Sequence, residues 1–346
     1  MMLQRKLSIA IAGVAVLAAT AGFTGHGPHW QLSDTQLTSI RFRGLAPVSA
    51  KVAWVAGTEG TILRTTDGGR RWASVGPADA AALQFRDIEA FDARSAVALT
   101  IGNGTDSRIY TTSDGGRNWT AAFVNQDANA FYDCMTFLDR RHGLALSDPV
   151  GGKFRILATS DGGRSWQVRP TAGMPAALDG EFAFAASGTC LVSSGGKAFF
   201  ASGGGATSRV FSSGDGGRTW SVTSTPIPSG PSAGIFSLAY RDPGHGLAVG
   251  GDFAVPDAAP DGAAYLRGHT WTVARTVPGE YRSGATWIGR GPAALAVGPT
   301  GSDVSWDGGR NWRKFDTGSF DAVLCAGDGS CWASGEKGRV ARLSWH

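Results

Sequence analysis

The stretch that decides the fold is Thr65-Thr66-Asp67-Gly68-Gly69-Arg70-Arg71-Trp72. Its pattern, Ser/Thr-x-Asp-Gly-Gly-Arg-x-Trp, recurs at 112–119, 159–166, 213–220 and 305–312. Successive aspartates are 47, 47, 54 and 92 residues apart, and the last gap is twice 46. One copy has therefore decayed between the fourth and fifth, and we expect it to end at Trp271.

Each copy is expected to shape a turn of the fold, because an aspartate can accept backbone N–H bonds across its own turn and glycine adopts angles that side chains forbid. The tryptophan would then bury its ring. Five copies around a ring cannot all serve one site, so a structural role is predicted for all of them. The residues concerned are Asp67, Trp72, Asp114, Trp119, Asp161, Trp166, Asp215, Trp220, Asp307 and Trp312.

A period of 40 to 50 residues with several short strands per unit is typical of a β-propeller. The repeated motif is here called the box. A short apolar strand lies upstream of each box, and this strand recurs seven times along the chain, from Val52–Val55 through Cys190–Val192 to Cys331–Ala333. The last unit has no outer strand of its own, whereas His29–Ser33 resembles the strand that follows each box. The sequence therefore predicts an all-β, seven-bladed β-propeller over 29–345, with repeats of roughly 37–57 residues, closed by its N-terminal strand.

Composition excludes several other classes. Glycine makes up 51 of 346 residues, while apolar residues stay at 42% and only four cysteines are present. A disordered chain lacks such core formers, and a disulfide-stapled mini-protein needs more cysteine. The formal charge of +4 falls to +2 without Arg5 and Lys6, so no nucleic-acid partner is expected.

Residues 1–21 read as a secretory signal peptide. Arg5 and Lys6 precede an apolar run, Leu7–Ala19, and an A-x-A cleavage site at Ala19–Ala21. The run is shorter than the ~20 residues that span a bilayer, so no stable membrane span is expected after removal. A retained anchor is the alternative. We therefore expect a secreted or periplasmic (extracytoplasmic) protein, in which disulfides are permitted.

The cysteines give one candidate disulfide. Cys325 and Cys331 flank a turn-like loop and could face each other across a hairpin. Cys134 and Cys190 lie in different repeats, and their pairing cannot be read from the sequence.

The boxes resemble the Asp-box (BNR) repeat of sialidases and sortilin-type receptors, and the whole arrangement resembles the photosystem II stability/assembly factor family more closely. That resemblance covers roughly 29–345. It implies an assembly chaperone that binds a protein segment through an arginine-rich face. Many relatives carry an oxidoreductase label, but the sequence has no dinucleotide fingerprint, flavin motif or clustered metal ligands. We expect a monomer without cofactor or metal.

A site is expected on the face that carries the longer links, because long loops on a rigid scaffold concentrate function. The longest links are 168–180, 195–208, 224–232 and 250–262. The same face holds the entrances to the seven inner strands, which converge on one axis. The polar residues at these entrances and in the adjoining loops are Arg43, Arg86, Asp87, Tyr132, Asp133, Asp148, Glu181, Asp252, Tyr281, Arg282 and Asp321.

Three interpretations of this set remain open. In the first, the residues solvate the rim of the channel; in the second, they bind a protein segment or glycan; in the third, they form a glycosidase site of sialidase type. Sialidases use an arginine triad, a tyrosine–glutamate nucleophile and an aspartic acid/base. The catalytic candidates are then Glu181, Tyr281 and Asp133, with Arg86 and Arg282 beside Arg43. The stretch Phe42–Leu45 matches only Phe-Arg of the sialidase Phe-Arg-Ile-Pro motif, and sialidases have six blades.

Overall fold

The computed structural model describes residues 27–345, and the predicted signal peptide lies outside this range. Seven four-stranded antiparallel sheets, here called blades 1 to 7, are arranged around one axis. The strands, inner to outer, are as follows: blade 1, β2 Phe42–Pro47, β3 Ala53–Gly57, β4 Ile62–Thr65, β5 Ala73–Ser74; blade 2, β6 Gln84–Ala90, β7 Ala96–Ile101, β8 Arg108–Thr112, β9 Thr120–Val124; blade 3, β10 Tyr132–Phe137, β11 Gly143–Val150, β12 Lys153–Thr159, β13 Gln167–Val168; blade 4, β14 Leu191–Ser194, β15 Lys197–Ala201, β16 Arg209–Ser213, β17 Ser221–Ser224; blade 5, β18 Ala233–Asp242, β19 His245–Asp252, β20 Ala263–Arg267, β21 Thr270–Val273; blade 6, β22 Gly284–Trp287, β23 Ala294–Gly298, β24 Gly301–Ser305, β25 Arg313–Asp316; blade 7, β26 Ala322–Cys325, β27 Cys331–Ser334, β28 Val340–Trp345, β1 Pro28–Ser33.

The predicted fold class, a seven-bladed all-β propeller, is confirmed. Each inner strand packs beside the next one around the ring, and β26 of blade 7 lies beside β2 of blade 1. β1 pairs with β28 in antiparallel register, with Pro28 opposite Trp345. Trp30 on β1 is buried, and its indole N–H donates to Ser302 Oγ at 2.9 Å. The outer strand of the last blade therefore comes from the start of the described chain, and it completes blade 7 as a four-stranded sheet like the other six.

The boxes close the turn between the third and fourth strands of five blades. In the first box, Thr65 Oγ1 accepts the Gly69 N–H at 3.0 Å and Asp67 Oδ1 accepts the Arg71 N–H at 3.0 Å. Gly69 has a φ of 83°, and a Cβ there would lie 2.4 Å from Ser33 Oγ, so glycine is required. The equivalent aspartate bonds recur in the other four boxes.

The box tryptophans pack inward. Trp166, Trp220 and Trp312 are buried, whereas Trp72 and Trp119 are half-buried. The two half-buried rings meet tryptophans of the preceding blade edge-on, Trp72 on Trp332 and Trp119 on Trp54. At the decayed copy a short turn at Gly268 replaces the box, and Trp271 is still buried.

Blade 4 corrects one sequence prediction. Cys190–Val192 was predicted as one of the seven recurring apolar strands, each the second strand of its blade, but Leu191–Ser194 is the inner strand β14. The tight turn at Gly195 and Gly196, with φ of 56° and 76°, leads directly into the second strand β15. The predicted long link 195–208 is therefore wrong, because its first half is a hairpin.

Both disulfides tie strands of the ring. Cys325 and Cys331 are bonded and lie opposite each other in the β26–β27 hairpin, as the sequence predicted. Cys134 on β10 is bonded to Cys190, which directly precedes β14, so this bridge joins blades 3 and 4. It spans a sequence separation of 56 residues. The chain-entropy account assigns such a loop about 4 kcal/mol of stabilisation.

Candidate functional site: the mouth of the propeller

The inner strands of all seven blades start at the same end of the ring, which we call the mouth. Four of them begin with a β-bulge, because the pairing register shifts by one residue at Arg43, Arg86, Asp133 and Phe236. A bulge leaves one residue unpaired and re-aims its side chain. All four bulged residues line one cavity at the mouth. Repetition of a local irregularity therefore gathers side chains from four blades.

The mouth cavity has a volume of about 560 Å³. It combines charged, aromatic and small side chains from the inner-strand entrances and the loops above them. The lining consists of Arg41, Arg43, Arg86, Ile101, Phe131, Asp133, Asp148, Phe182, Ala183, Phe184, Ala185, Ala186, Phe236, Phe253, Pro256, Tyr281, Pro299 and Asp321.

A cluster of phenylalanines forms one wall. Phe184 stacks on Phe236 with ring centroids 3.8 Å apart and meets Phe182 edge-on at 4.8 Å. Phe253 caps the cluster at 6.3 Å from Phe184 and is 53% exposed. A half-exposed aromatic ring above a buried aromatic cluster offers apolar area that a ligand can cover.

Arginines form the second wall. Arg41 donates two hydrogen bonds to the Asp321 carboxylate, at 2.8 and 2.6 Å, and these bonds raise the pKa of Arg41. Arg43 lies 3.5 Å from the same carboxylate, and its buried Nε makes no hydrogen bond within the described residues. Burial lowers the pKa of Arg43. Arg86 reaches across to blade 4 and donates to the Ala185 carbonyl at 2.9 Å. Two arginines on one carboxylate leave this wall positive.

A carboxyl pair forms the third wall. Asp133 is 2% exposed, and its Oδ2 has no hydrogen-bond partner among residues 27–345. Burial and the neighbouring Asp148 raise the pKa of Asp133 well above its usual value. Burial raises the pKa of Asp148 to about 6, while its Oδ1 accepts the Ala183 N–H at 2.8 Å. The pair therefore holds a proton to higher pH than isolated aspartates do.

Tyr281 lies beneath the aromatic wall and packs edge-on against Phe236 at 4.7 Å. Burial raises the pKa of its phenol far above the ordinary value. The phenol is therefore neutral at physiological pH, and it extends the apolar wall into the ring.

The structure does not place Glu181 in the mouth, contrary to its choice as a catalytic candidate. Its carboxylate is fully buried and accepts hydrogen bonds from Arg209 Nε at 2.7 Å and Ser202 Oγ at 2.6 Å. Arg209 Nη2 and the Leu178 N–H engage the second oxygen. The prediction took 181 as the entrance to an inner strand, but that strand starts ten residues later at Leu191. Every acceptor of Glu181 is occupied, so this group stabilises the fold of blade 4.

Arg282 also lies outside the mouth. It is completely buried and donates to Asp303 at 2.7 Å and to Thr300 at 2.9 Å. Its backbone N–H donates to the Gly250 carbonyl of the preceding blade. In the same way, the Phe42 N–H donates to the Gly335 carbonyl and the Phe320 N–H donates to the Gly298 carbonyl. Arg282 thus occupies the position that a buried aromatic residue takes in other blades, and its charge is neutralised within the protein.

Three further predicted residues do not line the mouth cavity. Asp87 is buried between blades and accepts the Met135 N–H at 2.7 Å, while burial and Glu89 raise its pKa. Tyr132 is buried against Phe123 within blades 2 and 3. Asp252 accepts the Ala254 N–H at 2.8 Å and caps a turn. The residues that the structure does bring together are Arg43, Arg86, Asp133, Asp148, Tyr281 and Asp321.

Sequence reasoning missed Arg41, which directly precedes the inner strand β2, and it missed the phenylalanines because it collected polar residues only. A signal for the mouth was present in a repeated four-residue pattern: an apolar residue, the bulged residue, a small or polar residue, and a second apolar residue. Phe42–Leu45 and Phe85–Ile88 show this pattern. The same pattern yields Phe236 in Ile235–Leu238.

Within residues 27–345, no three His, Cys, Asp or Glu side chains lie close enough together to hold a metal ion. The described part of the chain likewise contains no helix long and apolar enough to cross a membrane. The fold and the mouth together define the class: a seven-bladed Asp-box propeller with an amphipathic cavity at the convergence of its inner strands.

Comparison with known protein families gives one match. The family model described as "Photosynthesis system II assembly factor YCF48" matches residues 22–133. The resemblance to the photosystem II assembly-factor family, inferred from the boxes, is thereby confirmed. No curated protein matches the sequence.

Solved structures share the fold at low identity. YCF48 bound to D1 peptide is similar with a TM-score of 0.65 and 14% identity, over 90% of this chain and 94% of that one. YCF48 from Cyanidioschyzon merolae has a TM-score of 0.62 and 15% identity, over 90% and 98% of the two chains. A GH74 xyloglucanase from Xanthomonas campestris has a TM-score of 0.62 and 16% identity, over 92% of this chain and 55% of that one.

Proposed function

We propose that this protein is an exported binding propeller that captures a segment of a partner protein in its mouth. The observation that carries the proposal is the chemistry of the cavity, in which a buried phenylalanine wall capped by the half-exposed Phe253 lies between arginines and a carboxyl pair. A peptide offers apolar, cationic and anionic groups along one chain, and so can satisfy all three walls at once.

The unpartnered polar atoms support a ligand in this place. Asp133 Oδ2 is buried without a hydrogen-bond partner in the described chain, and Arg43 Nε has no hydrogen bond there beyond its 3.5 Å ion-pair contact with Asp321. Leaving a buried polar group unpaired costs about 1–3 kcal/mol, which a ligand that supplies the missing bond recovers. We expect a lysine, arginine or amine of the partner at Asp133 and Asp148, and a carboxylate at Arg43.

The fold neighbours agree with a protein segment as the ligand, since one of them is YCF48 bound to D1 peptide. Export is supported by the leader-like residues 1–21 and by the two disulfides, which persist in oxidising compartments. A D1 peptide is accordingly the first defined probe for the mouth.

The experiment places a photo-crosslinking amino acid at Phe253 in the mouth, and at Val168 on the outer strand of blade 3 as the control. Both side chains are about half exposed, at 53% and 51%. After irradiation in the native cell, we expect a partner crosslinked from position 253 and absent from 168. Equal yields from both positions, or none from 253 while the protein is folded and exported, would refute capture at the mouth.

A glycan is the second candidate ligand, because exposed aromatic rings such as Phe253 can also pack against sugar rings. Catalysis has less support, since Glu181 is held by Arg209 and only Asp133 and Tyr281 of the three candidates reach the cavity. A panel of aryl glycosides that includes a sialoside decides this point. Hydrolysis that disappears in Asp133→Asn and Asp148→Asn variants would replace the binding proposal with an enzymatic one.

A further inference from the structure

The face opposite the mouth, here called the box face, carries an exposed aromatic pair. Trp306 is 49% exposed and Trp345 is 48% exposed, and their ring centroids lie 5.5 Å apart. Trp306 is the variable residue of the last box, and Trp345 ends β28. The box tryptophans proper are buried or half-buried, so these two rings do not serve the repeat. An exposed tryptophan pair on a folded surface needs a different explanation.

The described chain enters the ring beside this pair. Pro28, at the start of β1, lies opposite Trp345 in the strand register. Third strands such as β4 run from the mouth toward the boxes, and β28 is the third strand of blade 7, so its end at Trp345 lies on the box face. Pro28, at the start of the described chain, therefore lies on the box face as well.

The box face is also basic. In the box turns and the hairpins between first and second strands, Lys and Arg outnumber Asp and Glu. The guanidinium groups of Arg164 and Arg218 donate to the carbonyls of their own box aspartates, at 3.1 and 2.7 Å. Neither guanidinium forms an ion pair with a carboxylate of residues 27–345. The box aspartates are meanwhile occupied by backbone N–H groups.

We propose that the box face docks on an anionic lipid surface, with Trp306 and Trp345 inserted at the interface and the exposed arginines over the headgroups. Tryptophan is enriched at membrane–water interfaces, where its ring meets the acyl boundary and its N–H stays hydrated. Basic side chains near an anionic leaflet add attraction that is screened by salt. A lipid surface accounts for the aromatic pair and the basic turns together.

This orientation points the mouth away from the membrane. The box face and the mouth are at opposite ends of every inner strand, so a propeller docked through its boxes presents Phe253 and Arg86 to the aqueous side. A partner could then be captured while the protein is held at the membrane. The inference does not depend on which ligand the mouth takes.

The test measures tryptophan fluorescence of the purified exported protein with phosphatidylcholine vesicles, with and without phosphatidylglycerol, and with brominated lipids as quenchers. The Trp306→Ser/Trp345→Ser double variant is compared with Phe253→Ser, which removes an exposed aromatic ring from the opposite face. Circular dichroism checks that both variants keep the melting temperature of the parent.

We expect the parent and Phe253→Ser to be quenched by brominated lipid when phosphatidylglycerol is present. The double variant should lose this quenching and need at least about tenfold more lipid for half-binding. Added salt should weaken the binding of the parent. Quenching that is unchanged in the double variant would overturn the proposal. Failure of the parent protein to bind vesicles that contain phosphatidylglycerol would overturn it as well.

Discussion

The box face and the mouth are built from the same seven blades but follow opposite rules. At the boxes the same bonds recur five times, and the Oδ1 of each aspartate accepts a backbone N–H of its own turn. At the mouth the bulged positions of four inner strands hold three different residue types: Arg43 and Arg86, Asp133, and Phe236.

The contrast separates the positions of a repeat protein that stabilise its fold from those that are free to serve its function. The box turn has the same structure in five blades, and its aspartate is hydrogen-bonded within the turn. A position that points to the common axis is free to differ, and there Asp133 Oδ2 has no hydrogen-bond partner within the described chain, while Arg43 Nε has only an ion-pair contact of 3.5 Å with Asp321. Side chains that break the repeat at the axis are therefore the candidates for function.

The largest expected effect separates two arginines that the sequence grouped together. Arg282→Glu places a carboxylate among Asp303 and Glu280 in a fully buried site, and should cost about 3–5 kcal/mol of unfolding free energy. Arg86→Glu should change stability by less than about 0.5 kcal/mol and weaken partner capture. Chemical denaturation of both variants measures the difference. Equal losses would mean that Arg86 is also part of the framework.

The next effect concerns one box. Although partial burial opposes it, hydrogen bonds from Thr219, Ser213 and Arg218 lower the pKa of Asp215 to about 2. Its contribution to stability is therefore full above pH 4 and is lost as pH falls through about 2. Asp215→Ala should cost about 2 kcal/mol at pH 7 and much less at pH 2. Thermal melts across this range test it, and a cost independent of pH would contradict the hydrogen-bond account.

The smallest effect has the opposite sign and belongs to the mouth. Burial raises the pKa of Asp148 from 3.8 to about 6. The folded protein therefore binds this proton more tightly than the unfolded chain does, so raising the pH through this range destabilises the fold. Asp148→Asn keeps an oxygen for the Ala183 N–H and removes the charge. It should stabilise the protein by about 1 kcal/mol at pH 8 and leave it unchanged at pH 4. Asp252→Asn, outside the cavity, is the matched control; a loss of stability in Asp148→Asn at pH 8 would reverse our assignment.

Much of the fold could be predicted because the boxes set the blade period and the unmatched outer strand identified the seam. Blade 4 was misread because the hairpin at Gly195 and Gly196 looked like the start of a long loop, and the error carried Glu181 into the site. The pairing of Cys134 with Cys190 needed the spatial order of neighbouring blades.

The site was predicted in part. Six polar residues at strand entrances do meet, since convergence on one axis follows from the fold. The direction of each side chain does not follow, because a bulge turns Arg86 into the mouth while Arg282 fills a packing position between blades. The phenylalanines read as core residues, and only their stacking around Phe184 shows that they reach the cavity.

The most direct test of this division of labour measures affinity and melting temperature together, for the partner crosslinked from the mouth or for a D1 peptide. Phe253→Ser and Asp215→Ala are compared with the parent. The account predicts that Phe253→Ser weakens binding at least about tenfold without lowering the melting temperature, whereas Asp215→Ala lowers the melting temperature and leaves the affinity unchanged. The reverse pattern, with binding lost in Asp215→Ala and kept in Phe253→Ser, would contradict it.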